Sequence, residues 1–448
     1  MTLVSGPPLR ISGCLALAAM VYASAPQPES LRTGLALFVL IGSLWMTQAL
    51  HLSLTALLVP LLAVLTGLMD MRAALSSFAH PVIFLFLGGF ALAAALQQQG
   101  LDRALALAVL RLAAGRRAVA VVMMFGLTAM LSMWISNTAT AAMMLPLALG
   151  LIHEEDSSRT RAFVLLGVAY SASIGGIGTL VGSPPNAIAA AQAGIGFAEW
   201  MRIGIPLVLV LLPLMVAVLF LLLRPRFNVQ AVTSPGTADA KPWTRQQLIT
   251  MVVFGLTAAG WIGAAPMGLA LGITADVDSV VALAAIVALV ASRCIAWPDI
   301  ERRTQWGVLL LFGGGLALSQ VMEVSGASRF LASALTEALQ GAPTLLLLLA
   351  VVAFVVFLTE LVSNTASAAL LVPIFIGVAA SLGLPPLLFA AAIAVSASCA
   401  FMLPVATPPN AIVFATDQVS QATMMRCGFV LNLVCILVIT SLATWVLR

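Results

Sequence analysis

The sequence predicts an all-α polytopic membrane protein with about eleven transmembrane helices, two re-entrant hairpins and two broken helices, arranged as two inverted repeats. Three observations predict it. The 448 residues are 62% apolar and only 8% charged, whereas about a quarter of the residues in a soluble chain are charged, and the mean hydropathy is +1.13. Apolar windows of roughly span length recur along the whole chain. Two polar motifs inside such windows each occur twice, in the same order and at nearly one offset. The 20 basic and 16 acidic residues cannot coat a soluble globule of 46.4 kDa, and the same composition argues against disorder or a disulfide scaffold.

In chain order, the first half offers windows near 11–25, 33–50, 53–69, 80–99, 162–181 and 203–223. The first of these, with Arg10 before it and Ala23, Ser24 and Ala25 after it, imitates a secretory signal. Pro26 makes a poor cleavage neighbour, so an uncleaved first span is expected. The second half repeats the scheme near 246–265, 277–292, 306–322, 386–405 and 427–446. Segments 118–152 and 344–381 differ, each being long and apolar with a polar triplet in its middle, and these are the expected hairpins. The polar stretch 225–245 separates the halves.

With a cytoplasmic N-terminus and both hairpins returning to their own side, fifteen of the 20 basic residues fall on the inner face, Arg10 and Arg303 among them. That bias fits the positive-inside rule and an inner, multi-pass cell-membrane location. All basic residues but Lys241 are arginines, scattered singly or in pairs, which is no nucleic-acid footprint. The five cysteines have no metal-type spacing and sit mostly in apolar runs.

Ser136-Asn137-Thr138-Ala139 recurs as Ser363-Asn364-Thr365-Ala366, at an offset of 227. Pro184-Pro185-Asn186-Ala187-Ile188 recurs as Pro408-Pro409-Asn410-Ala411-Ile412, at 224. Gly88-Gly89 pairs with Gly313-Gly314 at 225. With the first span set aside, each repeat has five full spans and a hairpin. An odd number of crossings turns the copies upside down relative to each other, as in secondary transporters.

Non-helical backbone at membrane depth persists only where protein or a water-filled cavity satisfies it. Pro184 and Pro408 interrupt their helices, because proline lacks an amide hydrogen and disfavours helical geometry before it. Unwinding frees carbonyl oxygens on one side of the break and leaves a positive helix end on the other. A cation would be held by oxygen alone. The first set is Ser132, Ser136, Asn137 and a carbonyl near Gly182; the second is Thr359, the Val362 carbonyl, Asn364 and the Ala406 carbonyl. Neutral oxygens suit sodium, whereas a divalent ion recruits several carboxylates. Glu360 is the sole acid in either hairpin, and could carry a proton or cap a helix. No Arg, Lys or His lies between Ala118 and Ile152 or between Thr344 and Ala406, so an anion is expected to meet hydroxyls, amides and helix ends but no fixed cation. Anion and sodium binding are then strongly coupled.

These motifs closely resemble the divalent anion/sodium symporter family, whose members move dicarboxylates, citrate or sulfate with sodium. The resemblance covers almost the whole chain. It implies a homodimer and an elevator mechanism, with residues 1–117 and 246–343 as scaffold and 118–224 and 344–448 as the sliding transport part. The segment 101–117 would be an amphipathic connector. The resemblance assigns Ser132, Ser136, Asn137 and Gly182 to a first sodium, and Thr359, Val362, Asn364 and Ala406 to a second. The substrate would lie among Ser136, Asn137, Thr138, Ser183, Ser363, Asn364, Thr365, Thr407 and Pro408. The loops differ, Gly182-Ser183 against Ala406-Thr407, and alanine leaves the backbone less free at the second site. Exchangers of the family would carry a fixed positive side chain in these motifs; none is present, which favours symport of C4 dicarboxylates over exchange.

Competing functions find less support. His51, His80 and His153 lie in no motif with Ser136 or Ser363, and there is no HExxH pair, Rossmann fingerprint or P-loop, so no enzyme is expected. Paired broken helices suit alternating access better than an open channel. A sulfate, citrate, exchanging or proton-coupled relative is the runner-up.

Overall fold

The computed structural model describes residues 7–102, 104–105, 116–227, 243–273, 275–338 and 343–446. The expected connector over 101–117 and the inter-repeat loop over 225–245 lie largely outside the described residues. Among the described residues all regular structure is helical. In the first half, α1 (Pro7–Ser24), α2 (Glu29–Thr47), α3 (Leu52–Leu65), α4 (Met71–Ser76) and α5 (Pro81–Gln98) precede the first polar triplet. The first hairpin is α6 (Arg117–Ser132) and α7 (Asn137–Gly150), the first broken helix is α8 (Ser158–Gly175) and α9 (Pro184–Ala193), and α10 (Phe197–Leu223) follows. The second half holds α11 (Arg245–Ile262), α12 (Ala264–Leu271), α13 (Val277–Ala291), α14 (Trp297–Arg303), α15 (Trp306–Ser325) and α16 (Ala327–Ala338). Its hairpin is α17 (Thr344–Leu358) and α18 (Asn364–Ser381), its broken helix α19 (Pro386–Ser398) and α20 (Pro408–Phe414), and α21 (Gln421–Val446) ends the described chain.

Each of the apolar windows carries a helix. Among the described residues, six stretches, including α2, α10, α15 and α21, are long and apolar enough to cross a membrane on their own, and several others are apolar helices of 10–17 residues. One of the six is α18, an arm of the expected second hairpin. The window near 246–265 is not one straight span: α11 and α12 meet at Gly263 with a bend of 85°. Large apolar side chains point outward on the outer helices, such as Leu209, Leu221, Leu256 and Leu269. In a bilayer this is the lipid-facing surface.

Glycines bring the two halves into close contact. A Cβ on Gly88 of α5 would lie 2.6 Å from the Ala282 Cβ on α13, and a Cβ on Gly314 of α15 would lie 2.6 Å from the Ala56 Cβ on α3. Offsets near 225 make α3 the counterpart of α13 and α5 that of α15. Each helix therefore packs on the counterpart of its neighbour, the reciprocal pattern that a two-fold relation produces. The motif-bearing helices do the same: α9 packs on α18 and α19, while α20 packs on α7 and α8.

Candidate functional site

Four helices begin beside one cavity. Their N-cap residues are Ser136 for α7, Ser183 for α9, Ser363 for α18 and Thr407 for α20, and all four line a cavity of about 640 Å³. Ser136 accepts the Ala139 N–H at 3.3 Å, and Thr407 accepts the Asn410 N–H at 3.4 Å. Pro184 and Pro408 stand first in their helices, where a missing N–H does no harm. Helix starts carry unpaired N–H groups and partial positive charge, a setting that favours an anion.

Behind the cavity, each half gathers acceptor oxygens around an asparagine. Ser132 Oγ lies 2.7 Å from Asn137 Oδ1 and 2.6 Å from the Ala172 carbonyl. The same Asn137 position is 3.1 Å from Ala172 O and 3.2 Å from Gly182 O. Within this group the Ser132 hydroxyl supplies one hydrogen, and the Ala172 carbonyl also accepts the Gly176 N–H at 3.1 Å. Turning the Asn137 amide over would point its NH₂ at the other three oxygens, and a cation among them would balance the oxygens with the amide as it stands. In the second half Thr359 Oγ1 lies 2.6 Å from Asn364 Oδ1 and 2.9 Å from the Ala397 carbonyl. The two arrangements are copies of each other.

Gly176 lets Asn137 approach, because a Cβ there would collide with its amide oxygen. Gly182 is likewise required for space, as a Cβ there would meet Gly176 O at 2.5 Å. Neither Gly182 nor Ala406 has positive φ, so the expected loss of backbone freedom at Ala406 does not arise.

The unwound loops are held from behind. Asn186 Nδ2 donates to Gly176 O at 2.8 Å and to Thr179 O at 2.7 Å. Asn410 Nδ2 donates to Ala400 O and Leu403 O, both at 3.1 Å. In the first half Thr179 Oγ1 also donates to the Met133 carbonyl and accepts the Gly182 N–H at 3.2 Å. In the second half a carboxylate anchors the loop: Glu360 accepts the N–H groups of Phe401 at 2.8 Å, Met402 at 2.9 Å and Leu403 at 3.0 Å, and Asn432 Nδ2 at 2.8 Å. Glu360 is buried and is not among the cavity-lining residues. Its partners lie in the unwound loop between α19 and α20, so its geometry is that of a loop anchor and not of a helix cap.

The cavity lining includes Ser136, Asn137, Thr138, Gly182, Ser183, Val362, Ser363, Asn364, Thr365, Ala406, Thr407 and Pro408. Ser132 and Thr359 stand one layer deeper, fully buried, against the two asparagines. One expectation requires correction. Arg10, from α1, also lines the cavity, so an entering anion does meet a fixed cation. The hairpin sequences hold none, but the fold brings one from the far end of the chain. Asn186 and Asn410 were legible as part of the repeated Pro-Pro-Asn motif, though not as loop anchors.

Comparison with known proteins bears on the family and the fold. A family model described as citrate transporter matches residues 43–394 and 340–448. An uncharacterized transporter of Haemophilus influenzae is 48% identical over 93% of this chain and 92% of its own. The sodium-dependent dicarboxylate transporter SdcS of Staphylococcus saprophyticus is 34% identical over 90% of this chain and 84% of its own. In fold, the crystal structure of the YdaH transporter of Alcanivorax borkumensis superposes with a TM-score of 0.60 at 16% identity, covering 89% of this chain and 98% of that one. The chain belongs to the citrate transporter family and is a multi-pass membrane transporter, not an enzyme.

Proposed function

We propose that this transporter moves C4 dicarboxylates such as succinate, malate and fumarate inward together with sodium. The observation that carries the proposal is the duplicated oxygen cluster, Ser132 with Asn137 and Thr359 with Asn364, behind a single cavity entered by four helix N-termini. Neutral oxygens in this density suit a monovalent hard cation. The first sodium would be held by Ser132, Ser136, Asn137 and Gly182, and the second by Thr359, Val362, Asn364 and Ala406. The substrate carboxylates would sit between them, on Asn137, Thr138, Ser183, Asn364, Thr365, Thr407 and neighbouring Ser136, Ser363 and Pro408. The similarity to SdcS, a sodium-dependent dicarboxylate transporter, supports the same cation and substrate class.

In this mechanism the bound cations supply charge compensation next to the helix ends, so anion and sodium tighten each other equally. Residues 118–224 and 344–448 would move as a transport unit against a scaffold of 1–117 and 246–343, in a homodimer of the inner membrane with a cytoplasmic N-terminus. A second reading, citrate in place of a C4 acid, is favoured by the description of the matching family model.

The test is uptake of labelled succinate into proteoliposomes with and without an inward sodium gradient, potassium replacing sodium at fixed pH. Sodium-dependent accumulation that excess citrate does not block supports the proposal. Sodium-independent or proton-driven succinate uptake refutes sodium coupling, and sodium-driven citrate uptake with no succinate uptake selects the second reading.

A further inference from the structure

We propose that Arg10 is an electrostatic guide that draws the dianion into the cavity. Of the described residues lining the cavity, Arg10 is the one that carries a charge. The rest of the wall is hydroxyls, amides, prolines and apolar side chains. Arg10 stands near the start of α1, half-buried, and its Nη1 donates to the carbonyl of Thr47, the last residue of α2, at 3.4 Å. It takes part in neither ion pair found among the described residues, which join Arg117 to Asp156 and Arg302 to Asp299. A guanidinium offers five N–H donors in a planar fork, so one carbonyl leaves capacity for a carboxylate.

The location gives this charge leverage. A cleft with low-dielectric walls and one sign of charge focuses the field and raises the local concentration of the opposite ion. Arg10 shares its cavity with Thr47, Gln48 and Gln305 at helix ends, while the motif residues form the remaining walls. The first span stands outside both repeats, so the positive charge is supplied once, at the face where α1 begins, the inner face by the arginine bias, and not duplicated with the cation sites. A charge fixed outside the oxygen clusters attracts the anion without competing for the sodium positions.

The proposal rests on the anion-transport function above, and its test separates the two. Val405 is 84% exposed and lines the same cavity, while the five native cysteines are buried. Val405→Cys in the full-length protein would be labelled with a sulfonate-bearing and a trimethylammonium-bearing methanethiosulfonate. Replacing Arg10 by Gln in this background is expected to lower the ratio of anionic to cationic labelling rates by about threefold to tenfold at low ionic strength. The Arg10→Lys variant keeps the ratio, and added choline chloride removes the difference. In transport, Arg10→Gln raises KM for succinate entering from the inner face, read as exchange out of loaded proteoliposomes, by a similar factor. An unchanged labelling ratio, with Arg10→Lys and Arg10→Gln equally lowering the melting temperature, would overturn the proposal and leave Arg10 as a tie between α1 and α2. Absence of succinate uptake in the parent protein counts against the substrate proposed above, while the labelling ratio still decides the role of Arg10.

Discussion

The Glu360 carboxylate accepts a hydrogen bond from Asn432 at 2.8 Å, which ties the tip of the second hairpin to the last described helix, while its other contacts hold backbone N–H groups of residues 401–403. Hydrogen bonds to a charged group contribute about 1.5–3 kcal/mol each, and leaving the donors unmet costs the full desolvation of each. Glu360→Gln preserves size but turns an NH₂ towards N–H donors. Thermal unfolding should shift downward and uptake should fall at least tenfold. Wild-type uptake in E360Q would refute the anchoring role. A proton carrier, by contrast, would yield a variant whose residual exchange has lost its pH dependence.

The two asparagines at the hairpin tips are expected to govern sodium affinity. Asn137→Ala and Asn364→Ala each remove one oxygen from a cluster and one donor facing the cavity. Transport should be lost while the protein still inserts and folds. Sodium-induced protection against heat, which measures cation binding without substrate, should weaken in both. Retained sodium-dependent uptake in both variants would rule out these clusters as the coupling sites.

Asn186 and Asn410 hold the unwound loops without lining the cavity. Asn186→Ala leaves the Gly176 and Thr179 carbonyls without their donor, at about 1–3 kcal/mol each if they stay dry. The expected signature is a loss of stability together with a raised sodium requirement, since the loop that carries the Gly182 carbonyl loses its anchor. A variant with unchanged melting temperature and unchanged sodium dependence would count against this positioning.

Acid sensitivity should come from the connection between the first hairpin and its broken helix. Asp156 is bound by the Arg117 guanidinium and accepts the His153 N–H at 2.8 Å. Burial pushes its carboxyl up, but the Arg117 hydrogen bond and the His153 amide outweigh this and hold it below the ordinary value of 3.8. A lowered folded value makes the unfolded chain bind the proton more readily. The contribution is therefore present above the ordinary value and lost as pH falls through the lower folded one. Asp156→Asn should melt at lower temperature at neutral pH, and the gap from wild type should close in that acidic window. A gap that persists there would mean the pair adds no stability of its own.

The close glycine contacts give a packing test. Gly88→Val should destabilise by about 1–3 kcal/mol by overpacking, because even a Cβ would crowd the Ala282 backbone. Gly126→Ala, with nothing within 4 Å of its Cβ and an interior helical position, should be neutral or stabilising by about 0.5–1 kcal/mol. Equal melting temperatures for the two variants would remove the close approach of α5 and α13 as a cause of stability.

Much of the site was legible because polar, proline-broken segments are expensive inside apolar runs, and a duplicated expense marks function. Ser132 and Thr359 were named as oxygen ligands and by family resemblance; that each lies five residues before its asparagine and hydrogen-bonds a carbonyl of the neighbouring helix is what the fold adds. Arg10 was not legible, since nothing local relates a flanking arginine of the first span to motifs far along the chain. The bend at Gly263 was hidden by hydropathy that continues through Ala264 and Ala265, although Gly263 and Pro266 together mark a weak point. The anchoring role of Glu360 depended on which backbone amides the unwound loop turns towards it, and that is a property of the fold.

The exchange of α9 and α20 between the halves has a further consequence, for biogenesis. Because α20 packs on α7 and α8, the packing around the first hairpin is completed only when the ribosome has delivered Phe414, long after Asn137. Order of synthesis and order of packing therefore differ: the first motif helix to be made is among the last to receive its full set of neighbours.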